Sequence, residues 1–408
     1  MPDRPPRPGA SPGRPLGVLA ALFLATIALR PQLVGIGPLI PAIRADLDVS
    51  FAVAGLLGTI PVLLMGLFAP LGPWVAGHIG PRRAVAACLA AVVGFGLLRP
   101  VLPGVPAVIL TTIGIGVGMG TAGALLPIVV KLRAATEPAL ATGAYAAGIV
   151  AGSLVAAAVA IPLADALGSW RGPLLAFGLA SIVSLAAWLV LLPRDSRADR
   201  SSGRPPRLPW SSGTAWMLVG IFGAQSLLYY SAVSWLPAVY TERGWSEADA
   251  GNLVAVMHLV GLVTGIGLPL VADRVGTRRS QLASVAAVAF AGFLGIVLLP
   301  DYAVAWAIVL GVGLGAIFPL VLTLPVDVAE GPAAVGATAA LMLLGGYIVS
   351  SIGPVGLGLL RDATGGYGLS LWLLVLLAAG LFVTCLALTP ARLRRGIGRP
   401  AVEIVAGP

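Results

Sequence analysis

The sequence predicts an all-α membrane protein with twelve transmembrane helices, arranged as two six-helix bundles related by pseudo-twofold symmetry. Hydrophobic residues make up 58% of its 408 residues and charged residues only 10%, whereas soluble domains are about 25% charged. The mean hydropathy is +0.99. Apolar windows of about 20 residues, each enough to cross about 30 Å of hydrocarbon, recur along the chain. One set of residues also repeats between its two halves.

The apolar windows fall into two groups that are separated by a polar segment. Arginine, serine and proline dominate residues 193–212, and this composition predicts a flexible cytoplasmic linker rather than a packed core. We therefore expect a disordered cytoplasmic tail at 1–15, one bundle at 16–192, a second at 213–390 and a cytoplasmic tail at 391–408. The predicted spans are 16–40, 52–77, 84–102, 105–130, 137–163, 171–192, 213–239, 248–271, 279–299, 302–326, 334–359 and 367–390.

The distribution of basic residues predicts the orientation of these spans. Most of the 25 Lys and Arg residues fall in the tails, in the linker and in loops on the same side of the membrane. Because short cytoplasmic loops are enriched in Lys and Arg, we expect a multi-pass inner-membrane protein with both termini in the cytoplasm. Topology also accounts for the net charge of +9 without nucleic-acid binding. The basic residues expected outside are Arg44, Arg99, Arg171, Arg243 and Arg361.

The two halves repeat at a constant offset of 196 residues, without a gap. Parallel repeats of this kind predict bundles related by an axis along the membrane normal, with a binding site between them near the middle of the membrane. The first copy contains Pro41, Ser50, Ala54, Gly55, Leu57, Pro73, Ala76, Gly80, Arg82 and Arg83, which recur as Pro237, Ser246, Ala250, Gly251, Leu253, Pro269, Ala272, Gly276, Arg278 and Arg279.

Arg30 lies near the middle of the first apolar segment and is followed directly by Pro31. An arginine at a helix centre costs about 2.5 to 3.5 kcal/mol on an insertion scale, so it must face protein, water or a ligand. Proline removes a backbone hydrogen bond and kinks the helix beside this cation. We expect the guanidinium to bind an anionic or strongly hydrogen-bond-accepting substrate, since no acidic residue lies mid-span. Alternatively, Arg30 pairs with backbone carbonyls and holds the halves together.

The internal repeat predicts further substrate-binding residues opposite Arg30. The offset carries Arg30 onto Ser226, and Tyr229 and Tyr230 follow one turn later in the seventh helix. If they bind substrate, these tyrosines line the central cavity. In the alternative interpretation they lie at a membrane–water interface, where tyrosine is common. Gln225 is adjacent to this face, and Tyr145 in the fifth helix is either a further binding residue or a helix-packing residue.

His258 is the candidate for proton coupling, because it lies midway along the eighth helix and titrates near neutrality when unperturbed. It could equally be a neutral histidine that is hydrogen-bonded to another helix. The two cysteines lie in apolar runs, which predicts neither a disulfide framework nor a metal site, and no cofactor is expected. The glycines at 114–120 lie within a transmembrane window and indicate helix packing rather than a nucleotide loop.

The loop after the second helix of each half carries a motif. Residues 273–279 are Asp-Arg-Val-Gly-Thr-Arg-Arg, whereas residues 77–83, Gly-His-Ile-Gly-Pro-Arg-Arg, lack the aspartate. This motif resembles the Gly-xxx-Asp-Arg-x-Gly-x-Arg-Arg signature of the major facilitator superfamily and implies its fold. The resemblance implies that a carboxylate-to-arginine contact between helix ends acts as a gate in the second half. The alternative is a solvated, positively charged loop without such a role. The candidate gating residues are Asp273, Arg274, Arg278, Arg82 and Arg83.

Three stretches resemble the cyanate transporter and nitroimidazole transporter family within that superfamily. They are Leu-Arg-Pro at 29–31 with Gly-Pro-Leu-Ile-Pro at 37–41, Trp-Leu-Pro at 235–237, and the glycine-rich 311–320 with Asp327 beyond it. The resemblance implies a monomeric secondary transporter, not an enzyme, that moves a small anion or polar organic molecule by alternating access. Proton coupling or exchange would drive the transport, because the sequence has no nucleotide-binding motif in a soluble segment. Efflux of neutral organic compounds and an intramembrane enzyme are the alternatives.

Overall fold

The computed structural model describes residues 15–134, 138–196, 208–272, 277–329 and 332–388. Its α-helices are α1 Pro15–Leu29, α2 Pro31–Val34, α3 Ile36–Leu47, α4 Phe51–Leu67, α5 Leu71–Ile79, α6 Pro81–Val101, α7 Val105–Arg133, α8 Pro138–Leu167, α9 Arg171–Leu191, α10 Gly213–Glu242, α11 Glu247–Ala272, α12 Arg278–Leu298, α13 Ala303–Val328, α14 Pro332–Thr364 and α15 Gly368–Leu386. A short 3-10 helix, Pro300–Tyr302, lies between α12 and α13.

The predicted all-helical membrane fold is confirmed, with two spans that differ in detail. Among the described residues, eleven helical segments are long and apolar enough to cross a membrane, and the first of them is the composite span Leu16–Leu47. The predicted span 52–77 is instead divided into α4 and α5, because the chain turns at 68–70 before continuing. The predicted tails and residues 197–207 of the linker lie outside the described residues, so the domain boundaries stay predictions.

Small residues bring the two halves of the chain into close contact. Helix α4 packs against α14, and α8 packs against α11. A Cβ atom on Gly55 would lie 2.6 Å from the backbone oxygen of Pro354, and one on Gly66 would lie 2.9 Å from that of Leu344. Glycine is therefore needed at both positions to let the backbones approach, as is common between membrane helices.

The Thr59 side chain joins the two halves through the backbone of α14. Its hydroxyl donates to the carbonyl oxygen of Ser351 at 2.8 Å and accepts from the Val355 N–H at 3.0 Å. These are the two groups that an i to i−4 helix hydrogen bond would pair, beside Pro354, which has no N–H of its own. The Trp235 indole donates to the Pro354 oxygen at 2.8 Å. Thr59 is thus held by a specific point on the opposite half.

A second set of contacts joins the two halves at one end of the helix bundle. The turn at 48–50 and the last turn of α14 lie at this end, which we call the Asp48 end. Asp362 accepts from the backbone N–H groups of Phe51 and Ala52 at 3.0 and 2.8 Å, which places an anion at the N-terminus of α4. The Phe51 ring centroid lies 3.4 Å from Cζ of Arg44 and 4.7 Å from Cζ of Arg361. Charged and aromatic groups from both halves therefore close this end.

We expect Thr59→Val to favour opening of the Asp48 end. Valine keeps the shape of threonine but removes both hydrogen bonds between α4 and α14, and each such bond contributes about 0.5–1.5 kcal/mol. Spin labels on cysteines placed at the exposed Ala45 and Ala363 would report the separation of the halves, after Cys88 and Cys385 are replaced by serine. The expected result is a larger population at long distance.

Thr111→Val is the matched control, because the Thr111 hydroxyl bonds only to carbonyl groups of its own helix, at 2.8 and 3.0 Å. It should leave the distance distribution as it is in the parent protein. A distribution that Thr59→Val does not alter would show that the Thr59 contact has no part in closing this end.

Candidate functional site

Arg30 lies at the interruption of the first membrane span, as its position before proline predicts. Helix α1 ends at Leu29, and Arg30 is the N-cap of the four-residue helix α2, with Pro31 at its first turn. The chain breaks again at Gly35, where a Cβ atom would lie 2.7 Å from the Phe177 ring and 2.9 Å from the Pro31 oxygen. The Arg30 side chain is buried, with 6% exposure.

The buried guanidinium of Arg30 meets a tyrosine of the opposite half. Its Nη1 donates to the hydroxyl oxygen of Tyr230 on α10 at 3.1 Å. Tyr347 on α14 interacts with both Arg30 and Tyr230, and its ring centroid lies 6.5 Å from that of Tyr230. Within the described ranges Arg30 makes no salt bridge. A cation in the membrane interior is thus surrounded by neutral hydroxyl groups.

His258 on α11 is hydrogen-bonded to Tyr229 of α10. Its Nδ1 lies 2.7 Å from the Val254 oxygen, and its Nε2 lies 2.8 Å from the Tyr229 hydroxyl. Because a carbonyl oxygen only accepts, Nδ1 carries a proton and donates, and in the neutral ring Nε2 accepts from Tyr229. Ser153 on α8 also interacts with the Tyr229 hydroxyl. The interhelical bond that the neutral-histidine interpretation requires is therefore present.

Five of these residues form one continuous group, which we call the central cluster: Arg30, Tyr229, Tyr230, His258 and Tyr347. The rings of Tyr229 and Tyr230 meet edge to face, with centroids 5.1 Å apart. The cluster therefore runs from Arg30 in the first half, through α10, to His258 in α11. Its polar groups are one guanidinium, three phenolic hydroxyls and one imidazole.

The other predicted binding residues are less directly connected to Arg30. Ser226 and Gln225 are both buried, and the Gln225 amide donates to the Ser226 hydroxyl at 2.6 Å. Tyr145 is half-buried and packs against the hydrophobic core. The structure thus brings Tyr230 to Arg30, whereas Ser226 and Gln225 bond to each other. Their roles in binding stay predictions.

The predicted gating residues are described in part. Arg82 donates through Nε to the Leu192 oxygen at 2.9 Å and also reaches the Leu189 oxygen. Arg83 uses its backbone N–H, which donates to Asp195 at 3.2 Å. Asp273 and Arg274 lie outside the described residues, and only the backbone of Arg278, at the start of α12, is described.

Asp195 supplies an acidic group beside the loop whose motif lacks one. Its carboxylate accepts from the backbone N–H groups of Arg82 and Arg83, each at 3.2 Å, and forms a salt bridge with Arg133 at 3.3 Å. An anion is favoured there because the N-terminus of α6 presents free N–H groups. This residue was not predicted from the sequence, although the missing motif aspartate was a signal for it.

Two further contacts were not predicted. Arg99 was counted with the basic residues on the outer side, and it lies in the last turn of α6 with no exposed surface, where Gln32 accepts its hydrogen bonds. Its side of the membrane stays a prediction. Tyr347 has no tyrosine counterpart in the repeat, so the offset did not find it. A single tyrosine within the apolar window 334–359 was the available signal.

The packed halves with a buried polar cluster between them are consistent with a membrane transporter. Residues 18–354 match the Major Facilitator Superfamily, and the chain belongs to this family of transporters. It is 32% identical to the cyanate transport protein CynX of Escherichia coli (strain K12) over 92% of this chain and 98% of that protein. It is 30% identical to the 2-nitroimidazole transporter of the same organism, over 87% of this chain and 90% of that protein.

The comparison with solved structures supports the same fold. The chain superposes on the crystal structure of a D-xylose-proton symporter with a TM-score of 0.74, covering 92% of this chain and 98% of that one, at 16% identity. The predicted resemblance to the major facilitator superfamily and to its cyanate and nitroimidazole transporters is therefore confirmed.

Proposed function

We propose that this protein is a secondary transporter that moves a small anion or small polar organic molecule by alternating access, with Arg30 as the group that recognises the substrate. The observation that carries the proposal is the buried guanidinium, which contacts a tyrosine hydroxyl instead of a carboxylate. The similarity to a cyanate transport protein supports an anion of small size.

The central cluster offers a surplus of hydrogen-bond donors. A guanidinium has five N–H donors. One of them is directed at Tyr230, and Tyr347 interacts with both residues. The other N–H groups of Arg30 are the donors that we propose for the substrate. A planar anion that accepts two parallel bonds from Arg30 and one from a tyrosine would complete this arrangement. Ser226, Gln225 and Tyr145 are the proposed outer residues of the same site.

The membrane potential constrains how such a substrate moves. Uptake of one negative charge against an interior-negative potential costs about 2.3 kcal/mol per 100 mV. Uptake therefore needs a co-transported proton or exchange for a second anion. We propose that His258 carries the proton, since its Nε2 reaches the cluster through Tyr229. A monomer is sufficient for this cycle, because both halves that form the site belong to one chain.

A specific observation favours a second candidate, the transport of neutral aromatic compounds. Several aromatic rings surround the cluster, including Phe222, whose centroid lies 5.1 Å from that of Tyr347 and 6.3 Å from that of Phe318. Such rings can stack on a flat heterocycle. The similarity to a 2-nitroimidazole transporter agrees with this candidate.

A ligand screen on the purified protein separates these two candidates. A ligand that binds only the folded state raises the free energy of unfolding, by about 2.7 kcal/mol when its concentration is 100 times its Kd. The melting temperature rises with it. Cyanate, nitrate, formate and 2-nitroimidazole should be compared at equal ionic strength. The anion proposal predicts stabilisation by at least one of the anions and competition between them. Stabilisation by 2-nitroimidazole alone would favour the second candidate.

We also propose the inner membrane as the location, with both termini and the linker around Arg200 in the cytoplasm. The charge bias carries this proposal. A cysteine placed at Arg200, in a variant with Cys88 and Cys385 replaced by serine, should be protected from an impermeant thiol reagent added to intact cells. It should react once the cells are opened. Labelling in intact cells would show that the linker lies outside and that the orientation is opposite to the proposed one.

A further inference from the structure

A second arginine is buried in the first half, outside the central cluster. Arg99 on α6 has no exposed surface, and its Nη2 donates to the backbone oxygen of Gln32 at 2.9 Å and to the Gln32 side-chain oxygen. Its Nε and Nη1 atoms are buried without a hydrogen-bond partner. Burying a guanidinium in a membrane span is unfavourable. A residue retained at this cost needs a function.

Gln32 is the residue through which Arg99 reaches the broken helix. It lies in α2, two positions after Arg30, and its side-chain amide donates to the Leu174 oxygen on α9 at 3.1 Å. Gly96, one turn before Arg99, makes room for it, because a Cβ atom there would lie 2.7 Å from the Gln32 amide nitrogen. Helices α6 and α9 thus hold Gln32 from two sides.

Helix α2 needs such support. It has only four residues, and the chain is interrupted on both sides of it, at Arg30 and at Gly35. A helix of this length has little stability of its own. Arg99 binds both the backbone and the side chain of Gln32, so it restricts the position and the rotation of α2 together. The direction of the adjoining Arg30 side chain depends on both.

We propose that Arg99 is a positioning residue: through Gln32 it fixes α2 and thereby directs the Arg30 guanidinium toward Tyr230 and the substrate. The consequence for substrate binding rests on the proposed function of Arg30. The effect on α2 itself does not, so the two parts can be tested separately.

Hydrogen exchange tests the effect on α2 without any ligand. In Arg99→Met, which removes the donors but keeps a long apolar side chain, amide exchange at 32–36 should accelerate by about tenfold or more, while α10 exchanges as in the parent protein. Thr112→Val is the matched control, since the Thr112 hydroxyl is buried and bonds only within its own helix, at 2.6 Å. Unchanged exchange at 32–36 in folded Arg99→Met would overturn the proposal.

If Arg99→Met does not fold, Arg99→Gln provides the same test. It removes the guanidinium that donates to Gln32 and leaves a shorter, neutral polar side chain in its place. Accelerated exchange confined to 32–36 would support the proposal. Normal exchange there would overturn it.

A double-mutant cycle with Arg30 tests the effect on binding, with cyanate as the probe. Arg99→Met should weaken cyanate binding by about tenfold when Arg30 is present and by less than about twofold in the Arg30→Lys background, since residues that act as a unit are not additive. Equal losses in both backgrounds would show that Arg99 acts independently of Arg30. If the parent protein binds neither cyanate, nitrate nor 2-nitroimidazole, the proposed function fails, and hydrogen exchange alone decides the role of Arg99.

Discussion

Arg30→Lys is expected to weaken binding of the transported anion by roughly tenfold or more without unfolding the protein. One charge-assisted hydrogen bond is worth about 1.5 to 3 kcal/mol, and lysine cannot reproduce the planar pair of donors. Lysine also lacks the reach and geometry to hold Tyr230 and the anion together. Arg30→Ala should weaken binding further. Calorimetric titration of the purified variants with the anion that best stabilises the parent protein measures the effect.

Arg171→Lys is the matched control for this substitution. Arg171 is half-buried and forms a salt bridge with Asp46 at 2.7 Å, and neither residue belongs to the central cluster. Lysine can maintain that pairing, so affinity should stay within about twofold of the parent value. If Arg30 were only structural, Arg30→Lys would instead lower expression or the melting temperature and leave a normal affinity in the folded fraction.

His258→Gln is expected to abolish proton-driven accumulation while exchange of substrate across the membrane continues. Protonation at Nε2 would turn this atom into a donor, so Tyr229 would have to accept instead of donating. It would also place a second positive charge in the half of the cluster opposite Arg30. Glutamine keeps a polar group near Tyr229 but does not titrate. Losing one coupled proton at 100 mV removes about 2.3 kcal/mol, or about 50-fold of accumulation.

His78→Gln is the control for this prediction. His78 is exposed at the end of α5 and bonds to the Trp74 oxygen of its own helix at 2.7 Å. Uptake into proteoliposomes with an imposed proton gradient, and exchange without one, should both be normal in this variant. Gradient-driven accumulation that survives in His258→Gln would place the coupling proton elsewhere, for example on the substrate.

The helices and the pairing of Arg30 with α10 could be predicted from the sequence, because one depends on local signals and the other on the internal repeat. An arginine followed by proline inside an apolar run predicts a broken helix, and the chain does break at Arg30. The repeat offset of 196 residues led from Arg30 to α10, where Tyr230 is its partner. Symmetry between halves thus served as a substitute for three-dimensional information.

The contacts that were not predicted depend on how distant helices pair. Nothing in the local sequence of Thr59 indicates that its hydroxyl meets Ser351 and Val355, almost 300 residues away in the chain. Arg99 lies near a helix end, and only its contact with Gln32 explains how the side chain is buried. Tyr347 escaped notice because the repeat has no tyrosine at the equivalent position.

Exchange of radiolabelled cyanate across proteoliposomes, in the absence of nucleotide, tests most directly the claim that Arg30 recognises a small anion for transport. We expect saturable exchange that unlabelled cyanate inhibits, and a half-saturating concentration raised by about tenfold or more in Arg30→Lys. Arg171→Lys should behave as the parent protein does. Exchange that is equally efficient in Arg30→Lys, or exchange of 2-nitroimidazole with no exchange of cyanate or nitrate, would contradict it.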